Sequence, residues 1–289
     1  MPIKVGDNGV DKTVAGLQAG KNGVDKEVQE VIVRDAGVDK TVFTAGPQLE
    51  IGESFAGGFF VGIIDTIAGT IDSQDDYQTG LRYALVIAPK DYEGGYNSSP
   101  VSPLTTGPLA WDLQNRTGES GSITRWNGLE STNNIIAKND TSYEAFDFIS
   151  EVRSNFPAPA INGGSEWYLP AMDELELMYR NLKPTTGVNF TADRTFTFPG
   201  FQDVGSNPSS DPTEAAYTEN DPSQTSVTAF QVGGTEAIDL SFYWSSTDAN
   251  DGSKAWLQGF AAAAGIQNAF GKDSPNDDLS VRPVRRVLI

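Results

Sequence analysis

Apolar residues come in short bursts along this chain. Gly57-Gly58-Phe59-Phe60-Val61-Gly62-Ile63-Ile64-Asp65 is one run of strand length, and Leu81-Arg82-Tyr83-Ala84-Leu85-Val86-Ile87-Ala88-Pro89 is another, stopped by proline. Short apolar runs bounded by glycine and proline predict buried strands, here paired as a hairpin across a polar turn. The period then changes. Tyr143, Phe146, Ile149 and Val152 lie three apart, which predicts an amphipathic helix over 142–154 ending near Asn155. Trp167-Tyr168-Leu169-Pro170 reads as a strand stopped by proline, and 171–181 as a short helix. Pro170 stands at its start, acids fill its first turn and Arg180 its last, in keeping with the helix dipole. Leu175, Met178 and Tyr179 share one face of it.

Toward the end of the chain the strand period returns. Phe242 to Thr247 predicts a strand that runs into a polar loop, Asp248-Ala249-Asn250-Asp251-Gly252. Ala255 to Phe260 predicts the next strand; alternation puts Trp256, Gln258 and Phe260 on one face and Leu257, Gly259 and Ala261 on the other. Ala261-Ala262-Ala263-Ala264-Gly265 reads as a hairpin connection whose small side chains leave a shallow surface. Val281-Arg282-Pro283-Val284-Arg285 closes the chain as a strand with valines inward and arginines paired to local acids. Residues 91–125 read as an irregular excursion holding Trp111, and 189–239 as a long loop-rich insertion.

The N-terminal part is a repeat. Gly9-Val10-Asp11-Lys12 recurs at Gly23-Val24-Asp25-Lys26 and Gly37-Val38-Asp39-Lys40, 14 residues apart each time. Each unit predicts a short strand, a glycine turn and a second short strand; Asn8-Gly9 and Asn22-Gly23 suit a tight turn. One such unit buries too little to stand alone, so stacking on other copies or neighbouring subunits is expected. Ala45-Gly46-Pro47-Gln48 marks the boundary, dividing the chain into 1–47 and 48–289.

Composition narrows the chemistry. The 289 residues include no cysteine and no histidine, which removes disulfides, Cys/His zinc sites, thiol nucleophiles and Ser-His-Asp triads. An enzyme is therefore not expected, although Asp and Glu leave glycosidase chemistry formally open. A net charge of −19 disfavours nucleic-acid binding and favours solubility at high copy number. Asp72, Asp75 and Asp76 sit in one polar turn and offer oxygens to Ca²⁺, but without a calcium-loop spacing; no other cofactor is expected. The longest apolar runs are too short for a membrane-spanning helix, and no apolar segment follows Met1-Pro2-Ile3-Lys4. If the protein ends up outside a cell, a route other than the Sec pathway is expected, and release within a virus particle is one such route.

Five strings occur in fixed order: Gly57-Gly58-Phe59-Phe60; Trp126-Asn127-Gly128; Trp167-Tyr168-Leu169-Pro170 with Glu174-Leu175; Tyr243-Trp244-Ser245-Ser246-Thr247; and Val281-Arg282-Pro283-Val284-Arg285-Arg286. Together they resemble the C-terminal domain family of the Legionella collagen-like adhesin, and the leading repeat resembles those of phage structural proteins. The resemblance implies an α+β, C-type-lectin-like fold, a helix after Trp126-Asn127-Gly128, core roles for Trp167 and Leu175, and a core-facing set of Trp256, Gln258 and Phe260 with Leu257, Gly259 and Ala261 turned outward. It also implies display of a binding surface, since the family occurs in phage tail proteins, including diversified receptor binders. The long 189–239 stretch departs from the short form of the family and is expected to lie beside the binding face.

On that basis the expected contact surface is Asp248, Asn250, Asp251, Leu257, Gly259, Ile266, Asn268, Phe270, Asp273 and Asn276. Isolated apolar residues at a rim of amides and carboxylates suit a contact patch. The expected partners are a host surface glycan or protein, other virion proteins through residues 1–47, and further copies of the chain, a trimer being favoured. The alternative expectation is a purely structural virion component, a baseplate or capsid decoration, with no receptor role.

Overall fold

The computed structural model describes residues 4–7, 10–15, 30–35, 38–44, 49–65, 82–95, 98–116, 124–161, 163–191, 204–249, 253–260, 265–273 and 279–289. The chain divides into two compact units, Met1–Leu49 and Glu50–Ile289.

In the first unit, strands β1 (Lys4–Asp7), β2 (Val10–Ala15), β3 (Glu30–Asp35) and β4 (Val38–Thr44) form a four-stranded sheet in that order, all antiparallel. Asp7 pairs with Val10 and Asp35 with Val38, so two residues separate the strands of each hairpin. The first and third Gly-Val-Asp-Lys copies therefore both open the returning strand of a hairpin. The second copy lies outside the described residues.

The second unit is α+β and holds two sheets. Strands β5 (Ser54–Phe55), β6 (Gly58–Asp65) and β7 (Arg82–Ile87) follow one another, and β8 (Gly94–Gly95) starts the other sheet. Three helices come next: α1 (Gly128–Ile136), α2 (Glu144–Asn155) and α3 (Met172–Leu182). The remaining strands are β9 (Ser210–Asp211), β10 (Phe242–Asp248), β11 (Lys254–Gly259), β12 (Gln267–Gly271), β13 (Leu279–Val281) and β14 (Val284–Leu288). One sheet runs β14-β7-β6-β5 with β9 alongside β6; the other runs β12-β11-β10-β13-β8. The β10–β13 pair is parallel, so the second sheet is mixed and not purely antiparallel.

Local sequence explains the helices. Asn127 caps α1 by accepting from the Glu130 amide at 3.2 Å while its own amide donates to the Glu130 carboxylate at 2.7 Å. Helix α2 buries Phe146, Ile149 and Val152, the positions its period requires, and carries acids in its first turn and Arg153 in its last. Helix α3 differs: every residue from Met172 to Arg180 is buried. Its apolar side, Leu175, Met178 and Tyr179, packs in one core cluster with Val61, Leu85, Tyr243 and Phe260. Its charged side faces the 204–217 segment.

The second sheet has a core on each face. Trp244, Ala255 and Leu257 pack with Trp111 and with Phe146 and Ile149 of α2. Tyr243 and Phe260 pack with α3. Every residue from Ala255 to Phe260 is consequently buried, so Leu257 and Gly259 do not face outward as expected; Ala261 and the rest of the expected shallow connection, 261–264, lie outside the described residues.

Candidate functional site

Four of the five strings meet in one place. Tyr168 and Val284 exchange backbone hydrogen bonds of 2.7 and 2.9 Å, joining the Trp-Tyr-Leu-Pro string to the closing strand. The Ser246 amide donates to the Pro170 carbonyl at 2.8 Å, bringing in β10. Arg286 donates to the Asn127 side chain at 3.2 Å, bringing in the α1 cap. Glu174 is the hub. Its carboxylate accepts from the Ala171 amide (2.7 Å), the Gly128 amide (3.2 Å) and the Tyr168 hydroxyl (2.6 Å). A side chain at Gly128 would lie 2.5 Å from Glu174 Oε2 and from the Leu169 carbonyl, so only glycine fits there. Burial pushes Glu174 up to about 7, against the opposing effect of these donors. A carboxylate enclosed by three donors of its own chain and fully buried braces the framework; it is not presented to a substrate.

The charged side of α3 forms a second network, unanticipated from the sequence. Arg125 pairs with Asp173 at 2.8 Å, and the Ser209 hydroxyl donates to the same carboxylate at 2.8 Å. Glu176 accepts from Arg180 (2.9 Å) and Asn207 (2.7 Å), and Arg180 also donates to the Gly205 and Ala215 carbonyls. Burial raises Glu176 to about 7, opposed by the Arg180 charge. These contacts tie the described part of the long insertion onto α3. The sequence reading took Arg180 as a dipole partner at a helix end; no local pattern marks Asn207 or Ser209 as its neighbours.

The arginines of the closing strands divide in role. Arg282 pairs with Glu93 at 2.8 Å and Glu236 at 3.2 Å, as expected of an arginine beside acids. Arg285 instead donates to the Ala56 and Pro159 carbonyls.

The ten expected contact residues separate into three groups. Asn250, Asp251 and Asn276 lie outside the described residues. Asp248, Leu257 and Gly259 are buried and do not form a contact surface. Asp248 makes a 2.7 Å ion pair with Lys272, both side chains wholly enclosed, and Lys272 also donates to the Arg116 carbonyl and sits 4.7 Å from the Trp111 ring centre. Leu257 faces the α2 core, because its strand is covered on both sides. Gly259 is needed for packing: a Cβ there would lie 2.7 Å from Ile266 Cγ2 and 3.1 Å from Phe242 Cε1.

The last group is brought together. Among the described residues β12 is the edge strand of its sheet. Asn268 is opposite Leu257 and Phe270 opposite Ala255, while Ile266 closes over Gly259 beside Phe242. Cross-strand partners share a face, so Ile266, Asn268 and Phe270 form one row along the rim of the α2-facing side. Ile266 and Asn268 are half-buried, Phe270 is 37% exposed, and Asp273 is exposed just beyond the strand. The row thus offers an aromatic ring, an amide and a carboxylate at a sheet edge.

The three turn aspartates, Asp72, Asp75 and Asp76, lie outside the described residues. Among the described residues no group of three or more Asp or Glu is placed to hold a metal ion, and no helix is long and apolar enough to cross a membrane. Comparison of the chain with protein-family models, curated proteins and solved structures gives no match.

Proposed function

We propose that this chain is a phage virion protein, a tail-fibre or tail-tip adhesin. In this reading its large unit is a C-type-lectin-like domain that binds a host surface receptor without turning it over. The observation that carries the reading is the mutual bracing of four of the five strings around Glu174, Tyr168 and Val284. Strings that resemble one family's signature and that also hold one another in place support descent from that family's framework. The row of Ile266, Asn268 and Phe270 on an edge strand supports a display role, since an exposed aromatic ring among polar groups is what protein and glycan contacts use. The stacked hairpins of residues 4–44 support an attachment or trimerisation role for the first unit.

The test is competition. Purified full-length chain, added to host cells before the phage, should bind the cells and block adsorption in proportion to its concentration. Antibody raised against 253–273 should label intact particles. If the chain is on the particle but neither binds cells nor competes, the receptor role fails and a structural decoration takes its place.

A further inference from the structure

The two hairpins of the first unit repeat each other in sequence and in register. β2 holds Val10-Asp11-Lys12-Thr13-Val14, and β4 holds the same pentapeptide as Val38-Asp39-Lys40-Thr41-Val42. In the first hairpin Lys4 is opposite Thr13, Val5 opposite Lys12, Gly6 opposite Asp11 and Asp7 opposite Val10. In the second, Ile32 is opposite Thr41, Val33 opposite Lys40, Arg34 opposite Asp39 and Asp35 opposite Val38. β3 therefore has the place in its hairpin that β1 has in the first.

The unit also contains one joint between such hairpins. The edge of β2 turned away from β1 is filled by β3, with Val14 opposite Val33 and Ala15 opposite Ile32. β4 carries the sequence of β2, and among the described residues its outer edge bears no strand; nor does the outer edge of β1, the counterpart of β3. Each end of the sheet thus keeps one half of a joint whose complete form lies at its centre. The backbone donors and acceptors along such an edge are a template for a further strand.

We propose that a second copy of this chain completes the joint: β4 of one copy pairs antiparallel with β1 of the next, and head-to-tail repetition closes the N-terminal sheets into a ring. This rests on the oligomeric role proposed for the first unit and gives that role a geometry. Carrying the internal register across by the repeat sets Val42 opposite Val5 of the next copy and Phe43 opposite Lys4. Two positions further along, it sets Lys40 opposite Asp7, so the two edges bring unlike charges together. The joint uses two different edges, and contacts of that kind form rings when the rotation closes. The twist of a sheet supplies rotation, and closure leaves no edge exposed.

The test uses the full chain, which has no cysteine of its own. Val5→Cys and Val42→Cys, carried on separate, differently tagged chains, are co-expressed and oxidised. Facing antiparallel residues stand about 4.5–5.5 Å apart at Cα, within disulfide reach. The mixture should give a linked dimer holding one chain of each kind, and either variant expressed alone should give none. With both substitutions on one chain, the bonds should join copies, because β1 and β4 of one sheet are three strand spacings, about 14 Å, apart. Val14→Cys with Val33→Cys on one chain should bridge internally, as the control for the joint itself. Light scattering of the wild type should find a single closed oligomer. A monomer, an open-ended series, self-linking of the Val42→Cys chain, or an oligomer without the Val5–Val42 bond overturns the proposal. Failure of the internal bridge does so too, since it removes the template. Host-cell binding of the same samples is scored separately, so the ring and the receptor reading can each fail alone.

Discussion

The Asp248–Lys272 pair decides whether Asp248 serves the fold or a ligand. Its two charges are 2.7 Å apart and completely enclosed, with the ammonium also bonded to the Arg116 carbonyl and lying over Trp111. Lys272→Met removes one charge and strands the other in a dry site. Such half-removal costs about 3–5 kcal/mol, whereas neutralising both partners together costs much less. At about 2–4 °C per kcal/mol for a unit of this size, the single variant should melt roughly 6–20 °C lower. The double variant, Asp248→Asn with Lys272→Met, should lose no more than the worse single change, giving a strong favourable coupling. Urea unfolding followed by tryptophan fluorescence measures all three, since Trp111 reports on the pair directly. A single-variant loss below about 1 kcal/mol, or additive losses in the double, refutes the reasoning. If Asp248→Asn lowers host binding at full stability, Asp248 is a contact residue after all.

Further outcomes are expected elsewhere. Phe270→Ser should reduce host adsorption with little change in melting midpoint, while Ile266→Ser, which uncovers Gly259 and Phe242, should cost about 1–2 kcal/mol; a stability loss at Phe270 with adsorption intact would move the site elsewhere. Glu174 is raised to about 7 by burial, so the folded state holds its proton more tightly than the unfolded chain does. Its contribution is therefore complete below about pH 4.5 and is lost as pH rises through about 7; a wild-type melting curve that declines across that window, flattened by Glu174→Gln, would show this, and identical curves would refute it. Gln258 is buried and neither its side-chain oxygen nor its nitrogen has a hydrogen-bond partner among the described residues, so Gln258→Met should stabilise the protein by about 1 kcal/mol; destabilisation would point to an internal water on that amide.

The sequence placed α2 and α3 to within two residues, because a three-residue apolar period, a proline and graded charges all agree there. It misjudged β11 for a physical reason. Alternation identifies which residues share a face, but it assigns the second face to water only if nothing covers it. Leu257 and Gly259 look like outward residues beside Trp256 and Gln258, yet α2 covers one side and α3 the other. Asp248 misled in the same way: a carboxylate in a polar loop reads as solvated until its lysine, 24 residues on, is seen beside it. The α3 network with Arg125, Asn207 and Ser209 is assembled from distant segments, and nothing local encodes it. The row on β12 was legible in part, because Ile266 and Phe270 stand out as apolar residues among amides and acids.

A helix enclosed on every side has a consequence for resistance to proteases. Opening the unit at the 204–217 segment would leave Asp173, Glu176 and Arg180 without partners, and opening it at the sheet would expose Leu175, Met178 and Tyr179. Neither layer can peel away cheaply, so intermediates between intact and fully open are scarce. Proteases cut chains that open, and at 124–191 they should find this one either closed or wholly unfolded. Digestion there should follow all-or-none kinetics.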